Sequence, residues 1–311
     1  MGELPAVRIT IRNFAVWRGG VLALTMSAIA VLCAWALQSH RAQHPATMWL
    51  ALLLLAGAAS AAEGQKDAKA ISYSFEGPFG TFDKAQLQRG YKVYKEVCSS
   101  CHSMRLVSFR NLSEHGGPGF SVEQVKALAA TFTVNDGPGN DGEMFDRPGL
   151  PSDRLPSPFA NEQAAAAANG GALPPDLSLI TKFRPGWYGT FNQLLNGIGG
   201  SQYVYSVLTG YEAPTAEITA EMPEGKHYNP YFANGHFISM APPLVDGQVT
   251  FDDGAPSTVD DMARDVSAFL AWTAEPKMEE RKSLGFIVLI YLAVLALLLY
   301  FVKKKIWADQ H

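Results

Sequence analysis

Two thiols stand three positions apart at Cys98 and Cys101, and His102 directly follows the second. A pair so spaced can clamp zinc, exchange disulfides, or be consumed in thioether bonds to a haem. Structural zinc needs four ligands, and the remaining histidines at 40, 44, 115, 227, 236 and 311 form no second pair. A thioredoxin-like pair opens a helix that follows a strand, whereas the residues before Cys98 read as a helix. C-x-x-C-H is the pattern of covalent c-type haem. The thiols add across the two vinyl groups, and the adjoining His102 becomes the proximal iron ligand.

The iron then needs a sixth ligand or an open position. Met104 is too near His102 to reach the opposite face, and Met278 abuts a long apolar run. Met144, Met222, Met240, Met262, His115, His227 and His236 remain. Met262 fits the core stripe of a helix. Met240 lies in "HFISMAPPLVDG" (236–247), where Pro242 and Pro243 forbid a helix and stiffen an extended segment. The residues alone favour Met240 and leave the others open. His/Met ligation raises the potential and closes the iron to small ligands, which means electron transfer. No paired carboxylates or activated nucleophile point to an active site of another kind.

The elements that must position these groups are mainly helical. "DKAQLQRGYKVYKEV" (83–97) starts at a cap, Asp83, and runs straight into Cys98. Ser121 and Gln124 form a capping box ahead of 121–132. Helical spacing continues over 201–210 and 257–276, and the alanine run 164–168 reads as a short helix. Gly/Pro/Asn-rich stretches at 115–120, 134–159, 168–176 and 228–256 read as long loops, which a haem would order by lying beneath them. The expected fold is a mainly α, mono-haem cytochrome c-type domain with long loops, plus a C-terminal transmembrane helix.

The net charge of −4 hides a strong asymmetry. Residues 62–282 carry 18 basic and 27 acidic side chains, while both ends are basic. The run 284–302 has 19 residues and no charge; as a helix it spans roughly 28 Å, close to the hydrocarbon thickness of a bilayer. Lys303, Lys304 and Lys305 follow it and mark the cytoplasmic side. At the other end, apolar runs at 19–37 and 48–62 follow arginines, and Ala59-Ser60-Ala61 resembles a signal-peptidase exit. Four segments are therefore expected: a leader over 1–61, a periplasmic haem domain over 62–282, an anchor helix over 283–303 and a cytoplasmic tail over 304–311. This places the chain in a bacterial inner membrane. Loss of Cys33 with the leader leaves only Cys98 and Cys101, which excludes a disulfide framework.

Several stretches together resemble the cytochrome c1 family, the haem subunit of the ubiquinol–cytochrome c oxidoreductase (bc1) complex. They are "GYKVYKEVCSSCHSM" (90–104), "AANGGALPPDLSLITKFR" (167–184), "YVYSVLTGYEAP" (203–214), "YNPYFANGHFISMAPPL" (228–244), the segment 251–285 and the terminal anchor. The resemblance covers about 71–305. It implies that Met240 is the axial methionine, that Arg184 pairs with a haem propionate, and that Asn169 and Pro175 line the haem. It further implies an electron taken from the Rieske iron–sulfur protein and passed to a soluble or anchored cytochrome c. Cytochrome b would be a further partner in a dimeric complex, and this chain would itself be a non-catalytic carrier. The stretch 185–202 is longer than in mitochondrial members. A free-standing, membrane-anchored shuttle to an oxidase is the rival reading; a flexible linker would favour it, and "AEPKMEERKSLG" (274–285) has little slack. Two acidic groups, Asp136, Asp141, Glu143 and Asp146, then Asp246, Asp252, Asp253, Asp260, Asp261 and Asp265, are expected to steer a basic electron carrier.

Overall fold

A computed structural model describes residues 66–187, 193, 197–233 and 235–308. The expected leader, with Cys33, lies outside the described residues, as does much of 185–202.

Helix α1 (Lys84–Glu96) begins where Asp83 accepts the N–H groups of Ala85 and Gln86. It buries Leu87, Tyr91, Val93 and Tyr94 along one stripe. Its main partner is the long helix α7 (Val259–Ala274), capped by Thr258, with Asp260 and Asp261 in the first turn, where the helix dipole favours negative charge. The two helices cross at Gly90, where an added Cβ would lie 2.2 Å from the carbonyl oxygen of Asp265. Backbone stands against backbone there, so no side chain can yield. Gly90→Ala is expected to cost about 3 kcal/mol, at the upper end of overpacking penalties, read by chemical denaturation.

The aromatic stack of Tyr91, Tyr94, Phe269 and Trp272 fills the α1–α7 interface, with ring centroids 5.6–6.0 Å apart. Helices α5 (Gly200–Thr209) and α4 (Ile180–Phe183) close the other side of α7. Met262 is wholly buried in this core, as its helical stripe suggests. The short helices α2 (Val122–Ala130) and α3 (Glu162–Ala168) fall where capping and the alanine run place them.

Helix α4, one turn long, was not expected from the sequence, and three further elements were not legible either. Helix α6 (Ala216–Glu221) has no buried residue, so no apolar stripe announces it. Hairpin β1–β2 pairs Thr133–Asp136 with Phe145–Pro148, antiparallel. Hairpin β3–β4 pairs His227–Tyr228 with Phe237–Ile238. Both lie almost wholly inside stretches read as loops: β1–β2 buries too little to carry an alternation of apolar and polar residues, and the two-residue strands β3 and β4 are too short to show one, although Ile238 of β4 is buried in the core.

Arg147 ties β1–β2 together, donating to Asp136 at 2.5 Å and to Asp153 at 2.7 Å. Those hydrogen bonds hold both carboxyls below their ordinary value. A carboxyl depressed on folding stabilises above its unfolded pKa, and that stabilisation is lost as pH falls through the folded one. Amide exchange in this hairpin should therefore accelerate below about pH 4 ahead of exchange in α1.

The chain turns at Glu275–Lys277 into α8 (Met278–Trp307), which begins five residues before the expected anchor because Met278–Lys282 continue the helix. Its apolar run 284–302 is exposed on every side, as befits a helix whose solvent is lipid.

Candidate haem-binding site

Helix α1 ends at Glu96, and a single tight turn over Cys98–Ser100 continues it. The carbonyl of Cys98 accepts the N–H groups of both Cys101 (3.2 Å) and His102 (2.9 Å). The intervening serines secure the turn to the helix, Ser99 through the carbonyl of Lys95 and Ser100 through that of Val97. Both thiols are free; Cys98 is half-buried against the core and Cys101 is exposed. Burial, with Cys101 adding, pushes the Cys98 thiol up to about 12.

His102 Nδ1 donates to the carbonyl of Pro175 at 2.8 Å. A carbonyl can only accept, so the proton sits on Nδ1 and the Nε2 lone pair is left for a metal. Burial lowers the imidazole pKa against the opposing pull of Pro175 and Asp176, which favours the neutral, ligating form.

Pro175 is itself held. The Asp176 carboxylate accepts from Ser103 Oγ (2.8 Å), the Arg105 amide (2.9 Å) and the Ser178 amide (2.9 Å). Leu177 N donates to Ser103 O at 2.9 Å, and Leu106 N to Ser178 Oγ at 3.1 Å. Burial raises the Asp176 carboxyl, yet the donors of Ser178, Arg105 and Ser103 outweigh it and leave it below its ordinary value. Five hydrogen bonds between 103–106 and 176–178, or within the latter, thus fix the strap over the histidine. Asp176 and Ser103 were not singled out from sequence. The signal present was D-x-S, an aspartate able to bond the amide two residues on.

Two clefts flank the turn. One has Cys101, Ser103, Arg105, Phe159, Leu173 and Pro174 on its walls; the other has Tyr91, Tyr94, Ser99, Phe132 and Leu155, and Ser157 and Pro158 border both. The buried Tyr94 hydroxyl, on the wall of the second, has no hydrogen-bond partner among the described residues. Two free thiols, one histidine nitrogen kept available and clefts on either side suit a covalently held haem.

Met240 follows β4, half-buried against the same core as Cys98. Tyr211 Oη donates to its carbonyl at 2.9 Å, and the hairpin carrying it is pinned to α5 by Asn229 Nδ2 on Val207 O at 2.7 Å. His236 sits nearby with φ +67°, and its buried Nδ1 is without a partner among the described residues. Arg184 ends α4 with its guanidinium over the Phe183 ring at 5.1 Å, and no carboxylate pairs with it among the described residues. Asn169 instead closes α3 through Ala165 O at 2.7 Å, so its contact with the site runs through Ala165 at the first cleft. The strap unites Cys98, Cys101, His102 and Pro175; no hydrogen bond joins Met240, Arg184 or Asn169 to them among the described residues.

Of the acidic residues expected to steer a partner, many are engaged internally. Asp265 is buried on Arg89 at 2.6 Å, and Asp253 meets the same guanidinium at 2.9 Å. Asp252 pairs with Lys92 at 3.0 Å, Asp246 caps Val259 N, and Asp260 bonds Tyr205. Asp141, Glu143 and Asp146 in the exposed hairpin form no ion pair among the described residues.

A sequence profile described as the Cytochrome C1 family matches residues 73–310. The chain is 54% identical over 262 residues to "Cytochrome b/c1" of Bradyrhizobium diazoefficiens, covering 81% of this chain and 37% of that protein. It thus spans little over a third of that longer relative. It is 46% identical over 272 residues to cytochrome c1 of Rhodospirillum rubrum, covering 83% of this chain and 94% of that one. It is likewise 46% identical over 256 residues to the mitochondrial cytochrome c1 haem protein of Saccharomyces cerevisiae, covering 82% and 77%. The C-x-x-C-H turn, the strap over His102 and the terminal apolar helix are thus the parts of a chain that belongs to the cytochrome c1 family, the haem-carrying electron-transfer subunits of the bc1 complex.

Proposed function

We propose that this chain takes an electron from a Rieske iron–sulfur protein and passes it, through one covalently bound haem c, to a soluble cytochrome c. The observation that carries this reading is the bond from His102 Nδ1 to Pro175 O, which readies Nε2 beside two free thiols. Haem c attached there supplies a one-electron iron couple. Cys98 and Cys101 would hold it covalently in both redox states, and His102 would fix its orientation. The Met240 thioether, on its proline-stiffened segment, would be the second protein ligand to the iron and would leave no open position for oxygen or water. Arg184, a planar fork with no carboxylate partner among the described residues, suits a propionate. Asn169 and Pro175 belong to the segment that borders the group.

The positive-inside arrangement puts Lys303–Lys305 in the cytoplasm and the haem domain in the periplasm of a bacterial inner membrane. Cytochrome b, within a dimeric complex, supplies the quinol chemistry that one or two spans have no room for. The hairpin acids Asp141, Glu143 and Asp146, which form no ion pair among the described residues, steer a basic acceptor within a domain of net charge −9 over 62–282.

Mild solubilisation, capture of this chain and optical and paramagnetic spectra of the captured material test the reading. Co-purifying b-type haem and a Rieske cluster, with quinol–cytochrome c activity, is the expected result. A c-type haem alone would transfer the assignment to a free-standing anchored shuttle.

A further inference from the structure

The loop 74–82 ("SFEGPFGTF") grips the first turns of α8 at three residues on one helix face. Glu279 Oε1 accepts the Phe82 amide at 2.8 Å. Lys282 Nζ donates to the carbonyls of Phe75 (2.6 Å) and Gly80 (3.0 Å). The Phe79 ring meets the Phe286 ring edge-on, with centroids 5.7 Å apart. Positions 279, 282 and 286 follow i, i+3, i+7 spacing, so the sequence of contacts passes from charged to apolar along the helix.

The loop is rigid by construction. Its base is buried, with Phe75 packed on Tyr73 and Phe82 at 5.0 and 4.8 Å. Thr81 N bonds Ser74 O at 3.1 Å across the neck. Gly80 permits the tight return, since a Cβ there would lie 2.0 Å from the Glu76 carbonyl. At the tip, however, Phe79 is 76% exposed. The ring does not stand alone: with the exposed Phe286 it meets the charge-free run of α8, and a contiguous apolar surface of this kind calls for an apolar medium to receive it.

We infer that Phe79 seats in the headgroup–acyl boundary of the membrane, so that loop 74–82 forms a collar fixing the haem domain on the bilayer. Continuity with the anchor decides the occupant. Phe286 belongs to the charge-free run that begins at Leu284, and Leu284 and Ile287 beside it are equally open. Four residues of helix separate Lys282 from Phe286, an advance of about 6 Å, which carries the ring past the last charge and into the depth that interfacial aromatics occupy. The two cationic and acidic contacts stay above it, at the level of the headgroups. The collar also removes swivel between domain and anchor.

A benzophenone-bearing phenylalanine analogue in place of Phe79, in the full-length chain in its own membranes, tests this directly. Irradiation is expected to give a phospholipid adduct on the peptide that contains position 79. The same analogue in place of Phe145, exposed in hairpin β1–β2, should give several-fold less. Lipid adducts no more abundant at 79 than at 145 would overturn the inference, as would products formed only with another polypeptide. Neither readout depends on haem attachment or electron transfer, so it can fail while the proposed function stands.

Discussion

Replacing Met240 with Lys is expected to lower the midpoint potential of the loaded protein by about 0.2–0.4 V, within the ~0.8 V over which axial ligands set haem potentials. A thioether favours reduced iron, whereas an amine is a harder donor that favours the oxidised form, so the sign is downward. Met240→Leu would remove the proposed donor without a substitute, and the iron is then expected to bind carbon monoxide, which a closed His/Met site would exclude. The two variants separate Met240 from its neighbour His236. Were His236 the ligand, both variants would keep the native potential and remain closed to carbon monoxide. Potentiometric titration of membranes, with carbon monoxide difference spectra, reads both outcomes. An unchanged potential in the Met240→Lys protein removes this methionine from the iron.

Asp176→Ala is expected to destabilise the haem domain by about 3 kcal/mol or more. The Ser103 hydroxyl and the Ser178 amide are buried, and with the Arg105 amide they lose a shared charged acceptor. A buried donor left unsatisfied costs roughly 1–3 kcal/mol. In a domain of this size that corresponds to a fall in Tm of about 6–12 °C. A second consequence is local. With the strap loosened, Pro175 O no longer holds the proton on His102 Nδ1, and the imidazole gains rotational freedom. Asp176→Asn keeps the shape and one acceptor oxygen, so it should recover part of the stability. Thermal unfolding gives the global cost, and amide exchange at Leu177 gives the local one. Native exchange at Leu177 in the Asp176→Ala protein would show that the carboxylate does not hold the strap.

The rigid collar at 74–82 bears on how the head is used. A shuttle tethered by a swivel gains reach, whereas a head clamped at Glu279 and Lys282 presents one face to fixed neighbours. The short turn at Glu275–Lys277 adds to this, since Glu275 is bound by Arg281 and lies 3.5 Å from Lys182. Fixity of this kind suits a subunit of a larger assembly.

What the sequence by itself determined is what short-range interactions decide. The turn through Cys98–His102 closes within four residues, the caps at Asp83 and Ser121 act over two or three, and the anchor depends only on an unbroken apolar run. Helix α7 was readable because its buried stripe repeats at helical spacing. The exposed hairpin β1–β2 and α6 were not, since little apolar burial leaves little pattern, and the two-residue strands of β3–β4 are too short to carry one. Only the tertiary structure decided which groups meet across long separations. Pro175 reaches His102 over 73 residues, Lys282 reaches Phe75 over 207, and Arg89 takes Asp265 out of the acidic surface over 176. A carboxylate written in the chain is the same letter whether it steers a partner, caps a helix or braces a strap. Its role is settled by the donors that folding brings to it, because a buried charge persists only where such partners compensate its lost hydration.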